Sequence, residues 1–267
     1  MKTALLISTY NWPEALELIL KSLKNQTQQP DQVLIADDGS TIATKNIIND
    51  FAKAYKGEII HVWHEDKGFR KSKILNKAIA KSSCDYIIQI DGDCIMHPHF
   101  IEDHIKNALP NTYLYGTRVT ITKKALPALF EKKQINFHIF SKHLKKRTRT
   151  IYFPLLSKLY TVKHAYSSNF RGCNVSYWKA DFVKVNGYNE DFEGWGREDS
   201  DLVIRMGNMN VKSRRLRYIA IVYHIYHPEN SKANFERNDE IQKHTINNKI
   251  IQVEKGISQY LSDENNY

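Results

Sequence analysis

The sequence predicts an α/β domain built on a single, mostly parallel central sheet flanked by helices. Three observations predict it. Short apolar runs ending in polar clusters alternate with amphipathic helical stretches over the first hundred residues. A chain of 267 residues, 42% hydrophobic and 25% charged, has the composition and size to bury a core. No segment approaches the roughly 20 consecutive apolar residues that cross a bilayer.

The elements follow in order. Residues 4–8 are the first buried strand. Pro13 stands near a helix start with Asn11 as its cap, and Leu16, Ile19, Leu20 and Leu23 recur behind it at helical spacing. Gln28-Gln29-Pro30 stops that helix, and 33–36 is a second strand ending at Asp37-Asp38-Gly39-Ser40. A helix over 44–54 and a strand over 59–63 come next. Gly68-Phe69-Arg70 opens a helix through Ile74, Leu75, Ala78 and Ile79, and 86–90 is a fourth strand, ending at Asp91-Gly92-Asp93. Alternation of this kind implies parallel strands with helices on both faces, and ligands then bind beyond the carboxyl ends of the strands. The polar clusters at 8–11, 37–40 and 91–93 all lie at those ends. After Leu109 the pattern is looser. Residues 113–121, 169–177 and 218–223 read as strands; 178–185, 198–206 and 238–253 read as helices; 123–159 matches no clear element.

Thirty-nine basic against 29 acidic residues give a net charge of +10, which favours anionic partners: nucleic acid, lipid headgroups or phosphate-bearing substrates. The excess is concentrated at Lys142, Lys145, Lys146, Arg147 and Arg149, and again at Lys212, Arg214, Arg215 and Arg217. Clusters of this kind are also common as solvated faces with no partner. Cys84, Cys94 and Cys173 form neither an even set nor a CxxC pair, which suits a reducing compartment. The apolar run at 4–7 is too short for a signal peptide, so the expected location is the cytoplasm.

Three constellations carry chemistry. Asp91 and Asp93, two positions apart beyond a buried strand, repel each other unless a divalent cation joins them to a diphosphate. Gly92 between them allows close approach of backbone or ligand. Acidic turns after strands are common, and the pattern gains weight because Asp37-Asp38 ends another strand. Trp195 between Gly194 and Gly196, followed by Glu198-Asp199-Ser200-Asp201, joins a platform for a sugar face to a candidate general base. A well-capped helix explains the acids but not the indole. His224 and His227 follow a strand and could supply the nitrogen ligand that the carboxylates lack. Lys67, Arg70, Lys71 and Lys73 surround Gly68, as phosphate contacts or as helix-surface charge. Neither a GxxxxGK[ST] loop nor a GxGxxG turn is present.

Ser8-Thr9-Tyr10-Asn11 with Asp37-Asp38-Gly39-Ser40 and Asp91-Gly92-Asp93 resembles glycosyltransferase family 2, which has the GT-A fold. Arg171-Gly172-Cys173-Asn174, Asn186-Gly187-Tyr188 and the stretch from Gly194 to Asp199 resemble the C-terminal half of the galactosyltransferase and chondroitin-polymerase type. Together the likeness covers about residues 3–230. It implies one GT-A unit over 1–267, with a nucleotide-binding half at 1–108, an acceptor and catalytic half at 109–230, and a helical tail at 231–267. It implies that Thr9, Tyr10, Asn11 and Asp38 line the nucleoside pocket, with Asp37 a structural neighbour. Gly68, Arg70 and Lys73 match a GFR-x-x-K segment bordering the nucleotide. Asp91 and Gly92 would contact ribose, with Asp91 or Asp93 on Mn²⁺ or Mg²⁺ and Asp93 the main ligand; His224, or alternatively His227, would join them. Asp199 would be the catalytic base, Glu198 would position donor or acceptor, and Gly172, Trp195 and Gly196 would contact the sugars. Arg197 departs from the pattern, because galactosyltransferases carry glycine there.

The reaction so implied is inverting transfer from a nucleotide-diphosphate sugar, with UDP favoured, to a glycan or lipid-linked glycan in surface polysaccharide or lipopolysaccharide synthesis. The basic clusters would suit a peripheral site on an anionic membrane face. Three rivals compete: a nucleic-acid-binding protein, a silent nucleotide- or sugar-binding module, and a sugar nucleotidyltransferase. The first lacks aromatic-interleaved basic motifs, so no nucleic-acid partner is expected. The third lacks a glycine-rich loop after the first strand.

Overall fold

The computed structural model describes residues 1–167, 170–228, 231 and 233–261. The first half folds as a strand–helix alternation: β1 (Thr3–Thr9), α1 (Pro13–Lys24), β2 (Gln32–Asp37), α2 (Ile42–Ala54), β3 (Glu58–Trp63), α3 (Lys71–Ala80) and β4 (Tyr86–Asp91). Strands β3, β2, β1 and β4 lie side by side and pair in parallel. Their apolar runs feed both faces. Leu5, Ile7, Val33, Ile35, Ile88 and Ile90 enter one core cluster; Ala4, Leu6, Leu34, Ala36 and Ile87 enter the other. Two-sided burial explains why β1, β2 and β4 are apolar without alternation, and each buried Leu or Ile contributes roughly 1.5–3 kcal/mol.

Then come β5 (Cys94–Met96), α4 (Phe100–Lys106), β6 (Thr112–Tyr115), β7 (Arg118–Ile121), α5 (Leu126–Glu131), β8 (Leu144–Lys145), α6 (Pro154–Ser157), β9 (Val162–Lys163) and β10 (Val175–Trp178). The chain continues through α7 (Lys179–Lys184), α8 (Glu198–Asn208), β11 (Lys212–Arg215), β12 (Val222–His224) and α9 (Phe235–Asn247). Strand β10 enters antiparallel between β4 and β6, so among the described residues the large sheet is mixed, in the order β3-β2-β1-β4-β10-β6-β11-β9. A second sheet, β5-β12-β7-β8, lies apart from it and was not expected.

Several boundaries need correction. Asn11 does not cap α1: Trp12 holds that position without a side-chain cap bond, while Asn11 sits at φ 44° and its Oδ1 accepts from the Thr41 amide. The expected strand at 113–121 breaks at Gly116, where an added Cβ would lie 2.3 Å from the Asn174 amide, and its two parts join different sheets. Tyr218 and Ala220 adopt left-handed φ of 67° and 48°, which confines the strand expected at 218–223 to β12. The strand expected at 169–177 is seen as β10; Asn169 lies outside the described residues. The last helix starts earlier than expected and stops before Lys249, at φ 49°. Within the unassigned 123–159 stretch, only short helical turns and β8 form.

Candidate active site

The carboxyl ends of β1 and β4 converge. A Cβ on Gly92 would lie 2.7 Å from the Ser8 carbonyl oxygen, so only glycine fits where the loop after β4 crosses β1. The two carboxylates flanking it go to different partners. Asp91 Oδ1 accepts from Ser8 Oγ at 2.8 Å and from Lys71 Nζ at 2.7 Å. Burial works against the Lys71 ammonium, but Asp91, Asp199 and Glu198 together hold its pKa well above the ordinary value. Lys71 therefore stays charged and ties the two acidic groups of the site together.

Asp93 turns the other way. Its Oδ2 lies 3.4 Å from His224 Nε2 and 3.2 Å from His227 Nε2. Burial alone would raise Asp93, yet the two imidazoles hold it below the usual carboxylate value. His227 is raised by its bond to Asp93; His224 is lowered by burial, with Arg118 adding to that effect. His227 Nδ1 lies 2.6 Å from the Pro228 carbonyl, which can only accept, so Nδ1 carries the proton. In the neutral ring Nε2 then points a lone pair at a carboxylate, an arrangement that a proton or a cation relieves. One carboxylate and two imidazoles within 4.8 Å of one another fit a divalent ion.

The second acidic pair opens α8. Asp199 Oδ2 accepts from the Gly172 amide at 2.7 Å. A Cβ on Gly172 would lie 2.5 Å from Asp199 Oδ1 and 2.9 Å from Gln89 Nε2, which seats the carboxylate against β4. Glu198 is 6% exposed, and burial first, then Asp199, pushes its pKa up to about 7. Its Oε2 accepts from the Gly196 amide at 3.1 Å. Trp195 keeps 39% of its surface exposed and stacks on Phe235 at 6.2 Å. Arg197 adopts φ 77°, the left-handed region in which glycine is at ease, and its guanidinium is tethered by Asp239 and by the Phe235 ring at 4.8 Å.

At the other end of the cleft, Asp38 Oδ1 meets His64 Nε2 at 2.6 Å and its Oδ2 accepts from the Arg70 amide at 2.9 Å. Burial raises Asp38 and lowers His64. Asp37 is fully buried, accepting from the Ser40 amide and meeting His61. Tyr10 is 52% exposed, with its hydroxyl donating to Asp66 Oδ2 at 2.9 Å. Trp63 is 53% exposed and donates its indole N–H to the Ser40 carbonyl at 3.0 Å.

A family model described as glycosyl transferase family 2 matches residues 4–177. The chain belongs to glycosyltransferase family 2. A second model, described as the N-terminal domain of galactosyltransferase, matches residues 155–228. Validoxylamine A glucosyltransferase of Streptomyces hygroscopicus subsp. limoneus is 26% identical over 215 residues, covering 76% of this chain and 47% of that protein. Chondroitin synthase of Escherichia coli is 23% identical over 221 residues, covering 76% of this chain and 32% of that protein. The chain thus spans about half or less of the length of these relatives. Among solved structures, S. aureus TarS 1-349 in complex with UDP has a TM-score of 0.63 at 15% identity, covering 98% of this chain and 70% of that one. Mannosyltransferase PcManGT from Pyrobaculum calidifontis, in complex with GDP-Man and Mn²⁺, has a TM-score of 0.59 at 15% identity, covering 99% and 70%. The fold is GT-A, and among the described residues no helix is long and apolar enough to cross a membrane.

Within this family fold, the sequence-named residues separate into groups. Asp93, His224 and His227 come together, and both histidines reach the carboxylate. Asp91, Asp199 and Glu198 gather around Lys71, which the sequence alone places only in a general basic cluster. Its position one residue after the GFR signature was the available signal. Thr9, Tyr10, Asn11 and Asp38 lie at or beyond the ends of β1 and β2; the Asn11 amide donates to Ser40, its Oδ1 accepts from Thr41, and both Asp38 oxygens have protein partners. Gly68 sits at φ 83° with open space around it. Arg70 and Lys73 line a hollow of about 320 Å³ with Glu190, Asp191 and Glu193, whereas Lys71 reaches Asp91. Gly172 abuts Asp199, so its nearest partner is the carboxylate of α8.

Proposed function

We propose that this domain is an inverting, metal-dependent transferase that moves a sugar from a nucleotide-diphosphate donor, a UDP-sugar, to a hydroxyl of a glycan acceptor in surface polysaccharide or lipopolysaccharide synthesis. One observation carries the reading. An Asp–His–His group and a second carboxylate pair at the head of α8 flank the same strand end, with Lys71 between the acids. Family membership and the nucleotide-sugar complexes of the fold neighbours support it.

Asp93, His224 and His227 would hold Mn²⁺ or Mg²⁺, with Asp91 beside them on Lys71. When bound, the ion neutralises the donor diphosphate and stabilises the departing nucleotide. Asp199 is the general base. With Oδ2 fixed by the Gly172 amide, it takes the acceptor hydroxyl proton as that oxygen bonds to the anomeric carbon. The bond from that carbon to the diphosphate oxygen breaks, the nucleoside diphosphate leaves, and the single displacement inverts the centre. Glu198 locks the Gly196 amide and so sets the Trp195 indole, a platform for the sugar face. Tyr10 and Trp63 offer exposed rings for the nucleobase.

The test is UDP release from a panel of UDP-sugars with Mn²⁺, comparing wild type with Asp93→Ala. Release from one donor, lost with chelator and reduced at least about a hundredfold in the variant, is expected. Absence of both release and Mn²⁺-dependent UDP binding would overturn the reading and favour a silent binding module.

A further inference from the structure

The second sheet carries more than the histidines. Residues paired across adjacent strands share a face, and so do residues two apart along one strand. In this sheet His224 of β12 pairs with Thr120 of β7, and Thr120 pairs with Lys145 of β8. The row His224–Thr120–Lys145 therefore lies on one face, with neighbouring backbones about 4.8 Å apart. Burial agrees: Val119, Ile121, Tyr223 and Ile225 are buried on the opposite side, while Arg118, Thr120, Thr122, His224 and Tyr226 alternate towards the open one.

Beyond the histidine on that face lies a groove of about 440 Å³. Thr120, Thr122 and Tyr226 line it together with His143 and four cations, Lys123, Lys124, Lys145 and Arg147. No carboxylate lines it, and among the described residues none of these four cations makes an ion pair. Elsewhere on the surface Lys53, Lys67, Lys106, Lys184, Lys243 and Lys255 each pair with an acid, and what marks the groove is that four unpaired cations line one hollow. Four like charges around one hollow repel each other, and a bound anion relieves that repulsion. Arg149, next to this turn, donates to the Arg118 carbonyl at 3.0 Å; burial, then Arg217, Arg215 and Arg118, lower its pKa. The two basic clusters of the sequence thus meet on this side of the molecule.

We infer that this groove is an anion subsite for the acceptor, which binds a phosphate or carboxylate group carried by the acceptor about two strand spacings from His224. The inference rests on the sugar-transfer reading above for the word acceptor; the anion site itself does not. The hydroxyl to be glycosylated lies towards the histidine end of the row, and the charged group lies towards Lys145 and Arg147. A neutral glycan leaves all four cations unmatched, so charge selects the acceptor class.

The experiment titrates mannose 6-phosphate and mannose into the Mn²⁺- and UDP-loaded protein by calorimetry, for wild type and for Lys145→Ala with Arg147→Ala. Both residues are exposed, and UDP affinity reports whether the double variant is folded. Lys45→Gln with Lys53→Gln, on the distant surface of α2, removes the same two positive charges and controls for net charge. The expected result is binding of the phosphosugar but not mannose, weakened about tenfold or more in the alanine pair and under about threefold in the α2 pair. Phosphatidylglycerol vesicles form the second arm. Vesicle binding that is lost in the alanine pair, without phosphosugar binding, places the same anion on a lipid headgroup. Equal binding by wild type and the alanine pair in both arms, or binding of mannose as tight as of its phosphate, overturns the inference. Failure of UDP to bind wild type counts against the transfer reading and leaves the phosphosugar comparison standing.

Discussion

The two sheets are linked where Asp93, just past β4, meets His224 of β12, but they are built by opposite means. Strands β1 to β4 run six or seven residues each and come within one helix of each other in sequence, and β1, β2 and β4 are sealed by apolar side chains on both faces. Strands β5, β7, β8 and β12 run two to four residues and are gathered from positions 94 to 224. Short strands cannot register themselves by apolar pattern alone, so long-range polar ties hold the second half together. Asp103 accepts from the Ala220 amide at 2.8 Å, the Asn174 amide donates to the carbonyls of Thr117 and Ala220, and Arg205 spans α8 and the turn after α7. The difference teaches a division of labour. Contiguous burial builds the frame, and scattered polar contacts place the groups that do chemistry.

The sharpest way to break that division is at Asp199. Asp199→Asn removes the base while leaving its bond to the Gly172 amide possible. Turnover should fall about a thousandfold, with UDP affinity within about threefold of wild type and little change in melting temperature. A melting temperature that collapses along with activity would show that the site and the frame are one unit.

Arg205 tests the polar ties directly. It is fully buried, pairs with Asp201 at 2.7 Å, and donates to the carbonyls of Val185 and Gly187. Arg205→Met strands the Asp201 charge and should cost about 3–5 kcal/mol in urea unfolding. Asp201→Leu with Arg205→Met should recover a large part of that loss. A small effect in the single variant would mean that apolar packing, and not this pair, holds α8.

The mildest test reads the electrostatic tension within the site. Glu198 titrates at about 7 in the folded chain against an ordinary 4.5. The folded state then holds a proton that the unfolded chain releases, so stability falls as pH rises from about 4.5 to 7 and levels off above. The contribution is about 3 kcal/mol at most, with Lys71 opposing it. Glu198→Gln should flatten that stretch of the stability–pH curve. An unchanged slope would mean that Lys71 already compensates the charge.

Much of this was legible in the residues alone. The apolar runs of β1, β2 and β4 could only be buried strands, and their ends placed Thr9, Asp38, Asp91 and Asp93 on one rim because parallel strands share a direction. The Trp195–Asp199 stretch announced itself, since an exposed indole between glycines has no use in a core. What sequence could not decide depended on contacts across many residues. Whether Asp91 or Asp93 met the histidines turned on Lys71 capturing Asp91, and both His224 and His227 proved close enough to share Asp93. That the Gly172 amide meets Asp199 across 27 residues likewise left no mark in the local sequence. The second sheet left no periodic signal, because strands of two to four residues are too short to show one. Only tertiary pairing set Lys145 in a row with His224, for register between distant strands is fixed by the whole packed structure and not by the local chain.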